Sequence, residues 1–310
     1  MTLDKHLPRR ILVSKRANLY YLEHCRVMVR GGCVEFATPE GGQESYWNIP
    51  IANTTFLLLG NGTSVTQAAM RMLAEAGVAV GFSGGGGTPL FSGVGITWVT
   101  PQSTCATTEY LQKWLSLWMD DTRRLSAAKR LQKDRLAFTK KWWSSSHFKD
   151  QGFRPTSLAN AAEEFEDNII NSTSIEQLLG GELAWTKKLY SLAAQATRHT
   201  SFQRDTAGSD KTNQFLNHGN ELAEGCGTVT AWTLGLPPQL AVLHRGTHQN
   251  GLVLDLADVV KDGIILPQAF LSAREGSTEK SFRAACTDLL TAQGGLQAMF
   301  DTATGVTECV

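Results

Sequence analysis

Hydrophobic and polar positions divide this chain into a first part with short apolar runs and a second part with long helical periodicity. In the first part, apolar runs occupy 11–14, Asn18–Leu22, Arg26–Arg30 and 33–36. Turn-forming residues such as Gly31 and Gly32 separate them, and 33–36 alternates apolar and polar residues. Such runs predict β-strands.

One helix is predicted within this β-rich part. Ser64 is a suitable N-cap, Gln67 completes a capping box, and Gly77 lies where the helix is expected to end. The run 78–82 then returns to strand. The four glycines at 84–87 do not predict a phosphate-binding P-loop, because no Lys-Ser or Lys-Thr pair follows them.

From Thr108 onward the pattern is helical, and Trp114 and Trp118 are spaced as core-facing helix residues. Breaks are expected at the prolines and glycines of this part, namely Pro155, Gly180–Gly181, Pro237–Pro238 and Pro267. The tail from Thr302 is expected to be frayed. The sequence therefore predicts an α+β protein with a small β-rich domain (1–103) followed by a larger all-α domain (104–310).

Composition fits a folded protein of 310 residues, with 42% hydrophobic and 19% charged residues and a formal net charge of zero. No stretch approaches the ~20 apolar residues that a membrane span needs. The six cysteines include no C-x-x-C pair, which is typical of reduced thiols in a cytosol. We expect a cytoplasmic protein that has no membrane partner.

Charge is unevenly distributed, because 113–154 contains eleven Lys and Arg residues against four Asp. Two tryptophans, Trp142 and Trp143, lie near the end of this basic stretch. A basic helix with aromatic residues can follow a phosphate backbone, which makes Arg123, Arg124, Lys129 and Arg130 candidates for DNA binding. The alternative is a solvated helix face that pairs with the acidic run 163–167, and the sequence leaves both open.

Candidate chemistry is concentrated in His244, Asp255 and Asp258, together with Glu182. Carboxylates and an imidazole are ligands that hold a hard divalent cation while leaving positions open for substrate oxygens. The alternative is structural: Asp255 as a helix N-cap, Asp258 in the first turn, and His244 as a buried core histidine. Glu182 is expected to open a helix after Gly180–Gly181, where an ordinary first-turn glutamate is the competing interpretation.

An Asn-rich segment lies between Glu182 and His244. Asn213, Asn217 and Asn220 fall on one side of a predicted helix, where they would brace metal ligands, contact phosphates or form a hydrogen-bonded polar seam. His248 competes with His244 as a ligand. No H-E-x-x-H motif is present, which argues against a zinc hydrolase of that type.

Long stretches of this sequence resemble one known family. They include 14–21, 46–55 and 81–89 in the first half. In the second half they include the Asn-rich segment, 234–237 and the run from His244 to Asp258. In these stretches the chain resembles the CRISPR-associated adaptation integrases called "Cas one", most closely those of subtype I-F.

This resemblance implies a β-rich domain followed by a helical catalytic domain, in a homodimer. It implies Glu182, His244 and Asp258 as metal ligands, with Asp255 supporting or sharing the site. With one imidazole and carboxylates, the expected metal is Mg²⁺ or Mn²⁺.

The implied activity is that of a DNA endonuclease and integrase, which inserts short foreign DNA into the CRISPR array. The 3′-hydroxyl of the incoming DNA attacks a phosphodiester of the repeat. Expected partners are double-stranded DNA and a second adaptation protein fused to the helicase-nuclease of the subtype. Asn213, Asn220 and Arg245 are further candidates for DNA contacts. The alternatives are a non-catalytic DNA-binding scaffold and a nuclease that repairs branched DNA.

Overall fold

The structure is a computed structural model, and it describes residues 16, 18–40, 43–82, 96–100, 108–199, 201–208, 210–246 and 250–308. The predicted strand at 11–14, the glycines at 84–87 and His248 lie outside these residues. Strands occupy the described residues up to Val99, and helices follow from Thr108. This order confirms the predicted α+β fold class.

Eight strands, one helix and a short 3₁₀ turn (Ile51–Asn53) form the described part of the β-rich region. The strands are β1 Asn18–Leu22, β2 Arg26–Arg30, β3 Cys33–Glu40, β4 Gln43–Asn48, β5 Thr54–Leu59, β6 Ser64–Val65, β7 Ala79–Phe82 and β8 Thr97–Val99, and the helix is α1 Gln67–Glu75. One sheet has the order β1-β5-β7-β8, with β1, β5 and β7 parallel and β8 antiparallel to β7. The second sheet has the order β4-β3-β2-β6.

Strand β5 is buried along its whole length because both of its faces are covered. Phe56 and Leu58 belong to the core shared with the helices, whereas Leu57 and Leu59 belong to the core between the two sheets and α1. Alternate residues of a strand point to opposite faces, which explains this division. The same two-sided burial makes the strand a continuous apolar run, which lacks the alternation that identifies an ordinary half-buried strand.

Ten helices follow among the described residues. They are α2 Thr108–Trp118, α3 Asp121–Trp143, α4 Ser146–Lys149, α5 Pro155–Asn171, α6 Ile175–Thr197, α7 Lys211–Thr233, α8 Gly251–Val260, α9 Leu266–Arg274, α10 Glu279–Ala292 and α11 Gly295–Glu308. A π-helical segment, Lys261–Ile265, joins α8 to α9. Within the described residues, no helix is both long enough and apolar enough to cross a membrane.

Two predicted helix boundaries need correction. Helix α1 is capped by Thr66, whose hydroxyl accepts a hydrogen bond from Ala69 N at 3.3 Å, and not by Ser64. Ser64 lies in strand β6, where it pairs with Arg26 of β2. The end of the helix next to Gly77 is confirmed, since Gly77 has a φ of 73°.

Helix α6 runs through Gly180–Gly181 without a break, so the prediction that Glu182 opens a helix is wrong. The helix begins at Ile175, where the N-cap Ser174 accepts from Gln177 N at 3.3 Å. Gly181 is required by packing: a Cβ atom there would lie 1.8 Å from Asn168 Oδ1 of α5. The glycine therefore lets α5 and α6 approach closely.

Two expectations about the second half are also wrong. Pro267 lies in the first turn of α9, directly after the π-helical segment, so the type of helix changes there but the helical path continues. The tail is helical to Glu308, with Ala303 and Val306 buried in the core. The predicted breaks at Pro155 and Pro237–Pro238 are confirmed by the start of α5 and the end of α7.

The sheet β1-β5-β7-β8 and the helices share one hydrophobic core. Leu19, Phe56, Leu58 and Ala79 of the strands pack in the same cluster as the buried residues of the helices. The division into domains at 103 and 104 stays a prediction, since a shared core joins the two regions.

Candidate metal centre

Three potential metal ligands converge from separate elements. Glu182 lies on α6, Asp258 on α8, and His244 in the segment between α7 and α8. One ligand atom from each lies within 4.8 Å of the other two, and Glu182 Oε2 is 3.7 Å from His244 Nε2. The structure thus brings together the three residues that the resemblance implies as ligands.

Asp255 fixes the position of His244. Its buried carboxylate accepts hydrogen bonds from His244 Nδ1 at 2.8 Å and from the backbone N–H groups of Val242, Leu243 and His244 at 2.7, 3.1 and 3.2 Å. A carboxylate only accepts, so Nδ1 carries a proton, and Nε2 is the ring atom that faces Glu182. The N-cap interpretation of Asp255 is wrong, because α8 begins at Gly251 and Asp255 lies inside it.

Two tryptophans of α2 anchor the chain just before His244. Trp114 Nε1 donates to Leu240 O at 2.8 Å, and Trp118 Nε1 donates to Ala241 O at 2.7 Å. The four-residue spacing of the tryptophans places both indoles on one face of the helix. Arg245 lies 4.2 Å from the centroid of the Trp118 ring. The apolar periodicity of α2 therefore helps to position the histidine.

A buried arginine lies beneath the three ligands. Arg135 of α3 is hydrogen-bonded to Glu182, and its Nε donates to Asp262 Oδ2 at 2.6 Å. Trp185 Nε1 donates to the same oxygen at 2.8 Å. The view of the basic stretch as a solvated face is therefore wrong at Arg135, which is 3% exposed.

Sequence reasoning missed Arg135, Lys261 and Asp262. A sequence signal existed for Asp262, which falls four residues after Asp258 and hence on the same helical face. Lys261 Nζ lies 3.1 Å from Asp258 Oδ1 and 3.6 Å from Glu224 Oε1. No local pattern points to Arg135, because its partner Asp262 is 127 residues away in the chain.

The electrostatics of the site follow from burial and these contacts. Burial lowers the pKa of His244, but the hydrogen bond and charge of Asp255 outweigh it and raise that pKa to about 9. Burial raises the pKa of Asp258, but Lys261 and Arg135 outweigh it and hold that pKa below its usual value. Burial raises the pKa of Glu182. Because an imidazolium cannot ligate, a bound cation must displace the proton from Nε2.

The donor set fits a hard divalent cation. Carboxylates at the site outnumber its permanent cations. The carboxylates are Glu182, Asp255, Asp258 and Asp262, and the cations are Arg135 and Lys261. Two carboxylates and one imidazole suit Mg²⁺ or Mn²⁺ better than Zn²⁺, which prefers more nitrogen and sulfur ligands. The adjoining cavity has a volume of about 190 Å³ and is also lined by Tyr190 and Asn220.

The Asn-rich segment divides into two environments. Asn213 and Asn217 accept hydrogen bonds from Arg204 at 2.9 and 2.7 Å, and their amide groups donate to backbone carbonyls of Gln203 and Thr206. These contacts agree with the hydrogen-bonded polar seam. Asn220, in contrast, lines the cavity beside the metal ligands.

The basic stretch is partly neutralised. Five of its eleven cations pair with carboxylates in the described part of the chain, namely Lys113, Arg124, Arg130, Arg135 and Lys140. One of these pairs, Lys140 with Glu166, reaches the acidic run. Lys129 donates to Ile170 O, and Arg123 donates to Ser116 Oγ. Contact of this stretch with DNA stays a prediction.

The described cysteines agree with the expected reduced thiols. Cys25, Cys226 and Cys286 are free and buried, whereas Cys33 is free and exposed. Burial raises the pKa of the Cys226 thiol to about 12, which keeps it protonated and unreactive.

Comparison with known proteins gives consistent matches along the chain. The sequence profile of the family described as CRISPR associated protein Cas1 matches residues 19–299. A protein of Pseudomonas aeruginosa named CRISPR-associated endonuclease Cas1 is 53% identical over 301 residues, covering 94% of this chain and 93% of the relative. Its namesake from Pectobacterium atrosepticum is 48% identical over 285 residues, covering 89% of this chain and 87% of the relative.

Among solved structures, the TtCas1-DNA complex has a similar fold. It aligns with a TM-score of 0.68 at 22% identity and covers 93% of this chain and 91% of that one. At this identity the likeness concerns the fold. The profile match and the identity to the two bacterial relatives carry the assignment: this chain belongs to the Cas1 family of CRISPR-associated proteins.

Proposed function

We propose that this chain is a metal-dependent DNA endonuclease and integrase that inserts short foreign DNA into a CRISPR array in the prokaryotic cytoplasm. The observation that carries this proposal is the convergence of Glu182, His244 and Asp258 within 4.8 Å, in a chain whose relatives are named Cas1 endonucleases.

The proposed reaction exchanges one phosphodiester bond for another. The 3′-oxygen of the incoming DNA forms a bond to a phosphorus atom of the repeat, and the bond to the 3′-oxygen of the repeat strand breaks. The attacking hydroxyl gives up its proton, and the leaving oxygen takes one up. The number of phosphodiester bonds is unchanged, so the enzyme supplies positioning and charge stabilisation.

Glu182, Asp258 and Nε2 of His244 would hold the metal ion. When bound, such an ion lowers the pKa of a hydroxyl and offsets charge on phosphate oxygens. Asp255 would keep His244 in the tautomer that can bind a metal. The buried positive charge of Arg135 holds the Glu182 carboxylate in position. Lys261 limits the repulsion between Asp258 and its acidic neighbours.

The proposal includes partners. A homodimer would act on double-stranded DNA together with a second adaptation protein that is fused to a helicase-nuclease. Asn220, which lines the cavity, and Arg245, which follows His244 in the chain, would contact DNA near the metal. Asn213, Arg123, Arg124, Lys129 and Arg130 remain candidates farther along the surface.

A strand-transfer assay tests this proposal. A labelled short duplex is incubated with a supercoiled plasmid that carries a repeat, the partner protein and Mn²⁺ or Mg²⁺. Glu182→Ala and Asp258→Ala are compared with wild type and with Glu164→Ala, which removes an exposed carboxylate from α5. Calorimetric titration with Mn²⁺ measures binding independently of activity.

We expect wild type and Glu164→Ala to join the label to the plasmid and to bind Mn²⁺. Both site variants should lose joining and weaken Mn²⁺ binding by at least tenfold. Equal joining by all four proteins would refute the metal assignment. Retained DNA binding without joining by any of them would favour the scaffold, and cleavage of a forked substrate without joining would favour the repair nuclease.

A further inference from the structure

A series of cavities follows one face of α6 away from the metal ligands. The cavity beside Glu182 shares Tyr190 with a second cavity of about 530 Å³, and the second shares Gln195 with a third of about 630 Å³ near Arg198. From Glu182 to Arg198 the helix rises about 24 Å, at ~1.5 Å per residue. We call these three neighbouring cavities together the furrow. Its length would accommodate several nucleotides of one strand.

Beyond the cavity of the metal ligands, positive charge dominates the walls of this furrow. Lys187 and Arg204 line the second cavity, and no carboxylate is among its described lining residues. Arg154, Arg198 and Arg274 line the third cavity, against one carboxylate, Asp150. In a chain with zero net charge, such a local excess is unusual and favours an anionic ligand.

Arg204 is held in place without being neutralised. Its Nη1 donates to Asn213 Oδ1 at 2.9 Å and to the Asp205 backbone carbonyl at 3.1 Å, and its Nη2 donates to Asn217 Oδ1 at 2.7 Å. All these acceptors are neutral. Within the described residues, no carboxylate lies within ion-pair distance of the guanidinium, so its full charge remains available.

The two asparagines are themselves fixed. Asn213 is 1% exposed, and its amide donates to Gln203 O at 2.9 Å and to Asp210 Oδ2 at 2.6 Å. The Asn217 amide donates to Thr206 O at 2.9 Å. Each side-chain oxygen is therefore turned towards Arg204. This gives a physical reason for amides four residues apart on α7, a helix in which asparagine is otherwise unfavourable.

Aromatic surface lies next to the guanidinium. Tyr190 and Phe202 line the same cavity as Arg204, with ring centroids 5.5 Å apart. A cationic groove with aromatic side chains is the usual surface for a strand of nucleic acid, because phosphates meet the charges and bases stack on the rings. Tyr190 also lines the cavity of the metal ligands, which connects this surface to the site.

We infer that Arg204, positioned by Asn213 and Asn217, binds a backbone phosphate of the DNA strand that reaches the metal ligands, and that Lys187 continues the same track. Three of the five N–H groups of the guanidinium hold it in place, so a phosphate would accept hydrogen bonds from the other two and would meet the positive charge. This inference rests on the proposed function, since it requires DNA to be the ligand. If the ligand were instead an acidic peptide of a partner protein, Arg204→Gln would bind DNA as tightly as wild type.

Three variants separate this role from a structural one. Arg204→Gln removes the charge but keeps donors towards the asparagines. Asn217→Ala removes one of the three hydrogen bonds that hold the guanidinium and leaves the charge unchanged. Arg71→Gln is the matched control, because it removes an exposed arginine from α1. This helix packs on the core of the β-rich region and lines none of the three cavities. Melting temperatures establish that each variant is folded.

The affinity of each variant for a short duplex is measured at several salt concentrations. It is then measured for a set of duplexes in which one neutral methylphosphonate replaces a different phosphate near the 3′ end. We expect Arg204→Gln to bind about tenfold more weakly and to lower the salt slope by about 1. At one position the methylphosphonate should weaken wild type but leave Arg204→Gln unaffected. Asn217→Ala alone should weaken DNA binding, but it should have no further effect when it is combined with Arg204→Gln.

A folded Arg204→Gln protein with the wild-type salt slope would overturn the inference. The inference would also be overturned if Arg204→Gln bound DNA more weakly but every methylphosphonate had the same effect on this variant as on wild type. The guanidinium would then contact no phosphate. If wild type joins no DNA but the predicted coupling is found, the proposed integrase activity fails and the phosphate contact stands. If wild type joins DNA and Arg204→Gln binds DNA as tightly as wild type, the integrase activity stands and the phosphate contact fails.

Discussion

At the scale of single residues, the candidate site depends on a carboxylate that is not among the proposed ligands. Asp255 is completely buried and accepts hydrogen bonds from three consecutive backbone N–H groups and from the imidazole of His244. One side chain therefore sets both the path of the segment and the tautomer of the histidine. Replacing it affects folding and metal affinity together.

Asp255→Asn tests this coupling. The amide has the same shape, but its NH₂ group would face the donors that the carboxylate accepts. We expect a loss of about 2–4 kcal/mol in the free energy of unfolding and a loss of about 10–100-fold in Mn²⁺ affinity. Urea denaturation and calorimetry measure the two effects. Asp288→Asn, an exposed site on α10, is the control and should change neither.

At the scale of elements, α6 presents the proposed ligand Glu182 and the wall of the furrow from one uninterrupted helix. Its two central glycines have different environments. A Cβ atom at Gly180 would meet no heavy atom within 4 Å, whereas one at Gly181 would collide with the Asn168 side chain of α5. The glycine pair therefore reflects helix packing at one position only.

Alanine at each position should give opposite results. Gly180→Ala is expected to stabilise the protein by up to about 1 kcal/mol, because alanine restricts the unfolded chain and favours the helix. Gly181→Ala is expected to destabilise it by about 1–3 kcal/mol, because Asn168 must move and gives up its hydrogen bond to Gln177 O. Thermal and urea unfolding measure both. Destabilisation of equal size in the two variants would contradict the packing argument.

At the scale of the whole molecule, charged and aromatic residues join the β-rich region to the helices. Arg283 of α10 pairs with Glu23 after β1 at 3.1 Å and lies 4.0 Å from the centroid of the Tyr21 ring. Glu221 of α7 lies near this cluster. Burial, together with the charge of Glu224, raises the pKa of Glu221 to about 8. Its carboxylic acid is therefore protonated at neutral pH in the folded protein.

This shift predicts a pH dependence of stability. At low pH both states hold the proton of Glu221, and its contribution is zero. As pH rises from about 4.5 to about 8, only the unfolded state releases it, so folding loses up to about 1.4 kcal/mol per pH unit. Partial exposure reduces this value. Glu221→Gln removes the ionisation and should be more stable than wild type by about 1–3 kcal/mol at pH 9.

The difference between Glu221→Gln and wild type should vanish near pH 4.5, and melting temperatures across this range measure it. Glu75→Gln, an exposed glutamate on α1, should show no such trend. A difference between Glu221→Gln and wild type that is constant with pH would indicate a packing effect and would contradict the proposed protonation.

The fold class, several strands and the proposed ligands could be predicted from the sequence alone. Strands β1 and β2 have the predicted bounds because their apolar runs end at local turn residues. Strand β5 was not identified, because burial on both faces removes the alternation that marks a strand. Glu182, His244 and Asp258 were found through resemblance, since their spacing alone is more typical of helix caps than of a metal site.

The surroundings of these residues depend on the packing of elements that are distant in the chain. The role of Asp255 became clear once α8 was seen to begin four residues before it. Arg135 and Asp262, 127 residues apart, meet because α3 packs against the segment after α8. Local patterns record which face of an element is buried, but contacts between distant elements depend on how all the helices pack together. For that reason the counter-charges of the site and the Arg204 furrow could not be read from the sequence.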